Sequence, residues 1–333
     1  MHNRVAPPAL PGFDAEDPVE SAIVRRLAEN WPRRAAVKKP EPDLDDLFDH
    51  TKLDYPDSLL PFAQHPVYTA LAPQQQERLR AWAWIAFNKN VMDIERCVVN
   101  PGFELLAVDA FDVGFADSVA VAVNQAMVDE QYHTLMHLNA SSSTRRGRGW
   151  SLPTKSLPDV LTVRARAQAL SECSDERSRA VVALAYMTVA EISISSYLDV
   201  IIDGEDIQPV NRATVRLHNR DELCHASIAD ALAVSVFDTL DSDERRRFVD
   251  GAADAMAAFA GNDFGAWRAI MDTEGIAGGH RMIDDVEHSP ESGLLVQDFS
   301  GIKKLYDALG VDRPLPSGSA SFRPRPASDG RRA

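Results

Sequence analysis

Two pentapeptides constrain this chain more than any other feature: Asp129-Glu130-Gln131-Tyr132-His133 and Asp221-Glu222-Leu223-Cys224-His225. Both read Asp-Glu-x-x-His, and both lie in long segments whose apolar residues recur with the helical period. Residues three apart on a helix share a face, so each Glu carboxylate and its His imidazole can reach one metal ion. One such tetrapeptide arises easily by chance. Two copies on different long helices, each led by Asp, also specify how those helices must meet. Such a pair, completed by one inward Glu from each of two further helices, is the ligand pattern of a two-metal helical bundle.

The sequence supplies the two further helices. Periodicity predicts long helices over 73–100, 117–140, 175–202 and 209–240. Asp117 is placed as an N-cap, Asp203-Gly204 as a helix stop, and Pro209 in a first turn. At 1.5 Å per residue these helices are about 35 to 48 Å long, which suits a bundle. Shorter helices are predicted over 18–30, 157–171, 242–258 and 301–309, and β-type alternation is scarce. The expected fold is all-α: a ferritin-like four-helix bundle core with additional peripheral helices. Residues 1–20 read as a flexible N-terminal segment, 21–312 as one domain, and 313–333 as a disordered tail rich in Pro, Ser and Arg. The connections 139–158 and 275–294 read as surface loops, as does the basic run from Arg145 to Arg148.

Burial logic selects the remaining carboxylates. Glu191 is the lone charged residue between Arg179 and Asp199. An isolated buried carboxylate is costly or takes up a proton, so a metal is an economical partner for it. In the first long helix, Lys89, Asp93, Arg96 and Asn100 mark a polar stripe, and Glu95 lies away from it. His218 stands one turn before Glu222 and adds a third imidazole. The candidate metal set is therefore Glu95, Glu130, His133, Glu191, His218, Glu222 and His225. Its four carboxylates would balance two divalent ions, and its oxygen and nitrogen donors suit iron or manganese. Asp129 and Asp221 are candidates to accept the second ring N–H of ligating histidines. His137 reads as a hydrogen-bonded core histidine, and Cys224 as a packing residue.

Composition narrows the function classes. With 333 residues, 45% of them hydrophobic, the chain can bury a substantial core. Lys and Arg total 35 against 50 Asp and Glu, a net charge of −15 that disfavours nucleic acid as a partner. Three scattered cysteines form neither a disulfide framework nor a zinc pattern. The N-terminus lacks a basic-then-apolar leader, and the apolar stretch 180–198 carries Glu191 at its middle, so a cytoplasmic protein without a membrane span is expected. Neither a Gly-rich dinucleotide fingerprint nor a cysteine cluster is present, so electrons for O2 chemistry would come from a separate reductase or a small reductant.

At these residues the chain resembles the p-aminobenzoate N-oxygenase family, di-iron enzymes that oxidise amines to hydroxylamine, nitroso or nitro products. The likeness runs from about Trp31 to Gly310. It takes in Trp31-Pro32-Arg33-Arg34-Ala35-Ala36-Val37, Pro61-Phe62-Ala63-Gln64-His65-Pro66, the four ligand helices and Val296-Gln297-Asp298-Phe299-Ser300-Gly301. The resemblance implies that the family's ligands fall on the seven residues named above, with His218 the imidazole that ordinary four-Glu, two-His proteins lack. It further implies two iron ions, O2 as co-substrate, a primary amine substrate (arylamine or amino-acid-like), a homodimer and a role in antibiotic or other specialised-metabolite biosynthesis. A di-iron C–H hydroxylase and a ferritin-like iron storage or redox protein are the alternatives. An aminobenzoate carboxylate calls for a cation, ideally Arg, and Phe87-Asn88-Lys89-Asn90 offers none in the inward turn. Phe87, Asn88, Asn90, Thr188 and Ser195 are the candidate substrate pocket. The two asparagines could equally cap or pack, and Thr188 and Ser195 could equally bond their own helix backbone.

Overall fold

The computed structural model describes residues 22–40, 43–202, 206–289, 295–296 and 298–315. The expected N-terminal segment, most of the expected tail and the Asp203-Gly204 helix stop lie outside them. The α-helices run in the order α1 (Ala22–Arg34), α2 (Pro66–Thr69), α3 (Pro73–Ile94), α4 (Asn100–Ala107), α5 (Asp117–Arg148) and α6 (Leu161–Ser171). They continue with α7 (Glu176–Ile202), α8 (Pro209–Thr239), α9 (Ser242–Ala260), α10 (Phe264–Glu274), α11 (Gly279–Glu287) and α12 (Ser300–Ala308). A single parallel bridge between Leu53 and Ile207 is the only β pairing among the described residues. The chain is all-α, consistent with a ferritin-like bundle.

The core bundle is α3, α5, α7 and α8. α7 lies along α8 and α9, while α5 packs against α3, α4, α1 and α8. The placement of α7 follows from its composition: Val181, Leu184, Ala185, Met187, Leu198 and Ile201 are all fully buried. A helix apolar around its whole circumference belongs in the middle of a core. By length and composition Glu176–Ile201 could cross a membrane, yet 83% of its apolar window is buried inside this molecule. Trp82, Trp84, Phe103, Tyr186 and Phe248 fill the spaces between helices, also fully buried. Each large apolar side chain so buried contributes about 1.5–3 kcal/mol.

Three local readings change. Helix α3 does not run regularly to Asn100: Glu95–Val99 form a π-helical turn closed by the Asn100 N–H on the Glu95 carbonyl, and the helix resumes as α4. Pro101 supplies the reason. It has no N–H for the Cys97 carbonyl, and its ring crowds that carbonyl; a widened turn just before it lets the helix continue, as π-bulges do. Helix α5 runs past 140 to Arg148, where Gly149 in the left-handed region (φ 68°) stops it, and it begins with Asp117 inside its first turn rather than capping it. The basic run is therefore no loop but the last turn of α5, where cations are favoured. Arg146 pairs with Asp45 at 2.7 Å, Arg148 with Asp54 at 2.9 Å, and Arg145 donates to the Leu152 carbonyl. Finally, the stretch 275–294 contains α11 and is not one loop.

Helices α4 and α7 cross at Gly102, where an added Cβ would lie 2.2 Å from the Met187 Cβ. Gly102→Ala should therefore lower stability by about 1–3 kcal/mol in chemical denaturation, as overpacking does. In a Met187→Gly background the same change should cost less. A Gly102→Ala chain as stable as the parent would contradict this packing.

Candidate metal centre

Seven side chains from the four bundle segments converge. The π turn contributes Glu95, α5 contributes Glu130 and His133, α7 contributes Glu191, and α8 contributes His218, Glu222 and His225. None is more than 2% exposed. They form two overlapping groups: Glu95, Glu130, His133, His218 and Glu222; and Glu130, Glu191, Glu222 and His225. Within each group, one donor atom per residue lies within 4.8 Å of all the others. Glu130 and Glu222, the carboxylates of the two Asp-Glu-x-x-His motifs, belong to both groups. Two carboxylates shared between adjacent donor sets can bridge two cations.

The contacts inside the cluster are close. His133 Nδ1 lies 3.0 Å from Glu130 Oε2 and 3.2 Å from Glu222 Oε1. His225 Nδ1 lies 2.5 Å from Glu130 Oε1, and His218 Nε2 lies 2.7 Å from Glu222 Oε1 and 3.6 Å from Glu95 Oε1. Yet Glu95 Oε2, Glu130 Oε1, Glu191 Oε2, both Glu222 carboxylate oxygens, His218 Nε2 and His225 Nδ1 are buried without a hydrogen bond. His133 Nδ1 is hydrogen-bonded to Glu130 Oε2, but the other close approaches lack hydrogen-bond geometry. Leaving so many buried donors and acceptors unmatched is costly, and a shared cation would satisfy them together. Oxygen and imidazole donors without thiolate fit a divalent ion such as iron or manganese.

Protonation shows the same demand for positive charge. Burial, then the neighbouring Glu130 charge, pushes Glu95 and Glu191 well above the usual carboxylate range. Burial also opposes ionisation of Glu222, but His218, His133 and His225 together hold it well below that range. Burial works against His133 and His225 as cations, yet Glu130 beside both keeps them well above the ordinary histidine value. His218 goes the other way, lowered by burial and by the charge of His133.

The two motifs orient each other. Asp129 Oδ2 lies 3.2 Å from Nε2 of His225, and Asp221 Oδ2 lies 3.5 Å from Nε2 of His133. Each aspartate thus faces the histidine of the opposite helix, because a residue one position before Glu is rotated about 100° from it, toward the neighbouring helix. A carboxylate on the outer ring nitrogen fixes the tautomer and leaves Nδ1 for the centre. Helix α1 and the residues after it hold both aspartates. Trp31 Nε1 donates to both Asp129 oxygens at 2.9 Å, and the Ala36 N–H donates to Asp221 Oδ2 at 2.9 Å. Arg34 Nη1 lies 3.5 Å from Asp221 and 3.7 Å from Asp129. Sequence reasoning gave Trp31, Arg34 and Ala36 no role. Two buried aspartates in need of donors were the available signal, but the partners lie 98 to 187 positions away.

His137 is hydrogen-bonded in the core: its Nδ1 lies 2.7 Å from Asn88 Oδ1 and its Nε2 lies 2.9 Å from His218 Nδ1. The fold also holds a cavity, lined by none of the seven converging side chains, whose aromatic walls include Tyr55, Phe87, Tyr197, Phe259 and Trp267. Phe87 stacks on Tyr197 with centroids 4.6 Å apart and planes 4° apart, and it lies 6.3 Å from the His137 ring. Of the five candidate pocket residues, Phe87 and Asn90 line this cavity, whereas Asn88, Thr188 and Ser195 do not. Asn88 is rotated inward, donating to the Trp84 carbonyl at 2.6 Å. Thr188 Oγ1 donates to the Leu184 carbonyl at 2.8 Å, which is the backbone bond open to it from sequence. The charged groups on the lining are paired: Lys89 with Asp93, and Asp263 with Arg164 at 3.0 Å.

The family model described as p-aminobenzoate N-oxygenase AurF matches residues 17–310. A 4-aminobenzoate N-oxygenase of Streptomyces thioluteus is 32% identical over 306 residues, an alignment covering 91% of this chain and 91% of that protein. With the match spanning the whole helical cluster, the chain belongs to the p-aminobenzoate N-oxygenase family.

Proposed function

We propose that the chain is an O2-dependent N-oxygenase that oxidises a primary arylamine, with two iron ions held by Glu95, Glu130, His133, Glu191, His218, Glu222 and His225. The observation that carries this reading is the pair of overlapping donor groups sharing Glu130 and Glu222. Bound iron supplies the redox chemistry and a site for O2, with electrons from an external reductase or small reductant. The chain's own residues do the rest. Glu95 and Glu191 each belong to one donor group and would help hold its ion, while Asp129 and Asp221 keep the outer nitrogens of His225 and His133 occupied.

The aromatic cavity supports an arylamine substrate, because flat rings stack on the walls it offers. The Asn90 side chain reaches the Tyr197 hydroxyl and gives that wall a polar point. Lys89, the cation on the lining, is tied to Asp93, so an arylamine with an uncharged ring substituent fits better than one with a carboxylate. A role in specialised-metabolite biosynthesis is part of the same reading. So is a homodimer: Val128, Leu135 and Leu138 leave an apolar stripe along α5 at 46%, 47% and 48% exposure.

Reduced, iron-loaded protein given O2 and a panel of arylamines should form hydroxylamino, nitroso or nitro products. Ring hydroxylation with an intact amine would favour a C–H hydroxylase instead, and many irons per chain without organic turnover would favour storage. Metal binding should also release protons, since Glu95, Glu191, His133 and His225 are the groups that metal must strip. Each of these groups is shifted toward its protonated form without metal, so affinity should fall as pH falls. Calorimetry in buffers of different ionisation enthalpy measures this, and a pH-independent affinity would contradict it. Light scattering should give a dimer that Leu135→Glu weakens; a monomeric parent chain would remove the dimer from the proposal.

A further inference from the structure

Two of the three converging imidazoles are oriented by aspartates, and His218 is not. Its Nδ1 meets His137 Nε2 at 2.9 Å, and His137 Nδ1 meets Asn88 Oδ1 at 2.7 Å. Asn88 Nδ2 in turn donates to the Trp84 carbonyl at 2.6 Å, one turn earlier on α3. Asn88, His137 and His218 are all fully buried.

The direction of every hydrogen bond in this chain is fixed from its far end. A backbone carbonyl only accepts, so Asn88 must turn its amide nitrogen to Trp84 and its oxygen to His137. His137 Nδ1 must then carry a proton. Both ring nitrogens of His137 face uncharged groups at zero exposure, and a buried cation without an anion beside it is costly. His137 therefore holds one ring proton, and its Nε2 accepts. His218 Nδ1 must donate to it, which leaves Nε2 of His218 with its lone pair aimed between Glu95 and Glu222.

We propose that Asn88 and His137 are positioning residues that fix the tautomer of His218, keeping its Nε2 available as a donor on the Glu95 side of the centre. The proposal rests on the metal-centre reading above. It makes the support of His218 a neutral relay, in contrast to the carboxylates that support His133 and His225. Asn88 thus serves the metal side rather than the substrate cavity.

Two substitutions at 137 separate positioning from filling. His137→Phe refills the space but removes the acceptor. His137→Gln keeps a carbonyl for the His218 N–H and an amide N–H for Asn88. Competitive chelator titration with Fe(II) on the full chain should show His137→Phe losing about 10- to 100-fold in affinity for one of two ions, the usual effect of removing a ligand's outer partner. His137→Gln should stay close to the parent. In the metal-free parent chain, 15N imidazole shifts should place a proton on Nδ1 of His218, a readout that needs no variant to fold. Parent-like affinity for both ions in His137→Phe, or a bare Nδ1 on His218, would overturn the proposal. A parent chain that binds fewer than two ions, with Nδ1 still protonated, would overturn the di-iron reading instead and leave the tautomer assignment standing.

Discussion

Four carboxylates buried within a few ångströms of one another, Glu95, Glu130, Glu191 and Glu222, set the terms for the rest of this molecule. Like charges in a low-dielectric interior cannot all remain ionised unless positive charge joins them. Burial and the Glu130 charge push Glu95 and Glu191 toward the protonated form, and Glu130 favours the cationic form of His133 and His225. Two divalent ions would supply the same charge as four protons while also meeting the unmatched oxygen and nitrogen atoms. The surrounding layer is arranged accordingly. Asp129 and Asp221 add negative charge outside the imidazoles, and Arg34 sits against both to offset it.

That layer also explains why a short N-terminal helix matters to a site built from four long ones. Helix α1 contributes no converging donor, yet Trp31, Arg34 and the backbone of Ala36 occupy both buried aspartates. Without such partners the aspartates would be unmatched buried charges, and the opposite histidines would lose their orientation. The crossed pattern, in which each motif steadies the histidine of the other, ties the approach of α5 to α8 to the geometry of the centre.

Much of this was legible from residue spacing. Glu-x-x-His on two periodic segments needs no long-range information, because three residues on a helix always share a face. Glu191 stood out by being alone among apolar neighbours, and Glu95 by lying off the polar stripe. The features that escaped are those that depend on distant partners or on fine backbone geometry. Periodicity carried the first long helix evenly to Asn100, and the π turn that absorbs Pro101 and carries Glu95 lies below what spacing can show. Asn88 and Asn90 look alike in sequence, yet a rotation of about 200° along the helix puts one against His137 and the other on the cavity. The run from Arg145 to Arg148 looked like a loop because its partners, Asp45, Asp54 and the Leu152 carbonyl, are not neighbours on its own helix.

The most direct test of the proposed centre is anomalous diffraction at the iron edge from crystals of the iron-loaded protein. Two peaks are expected, one among Glu95, Glu130, His133, His218 and Glu222 and the other among Glu130, Glu191, Glu222 and His225, with Glu130 and Glu222 touching both. A single peak, or iron bound away from these side chains, would contradict the two-metal centre on which the proposed oxygenase chemistry depends.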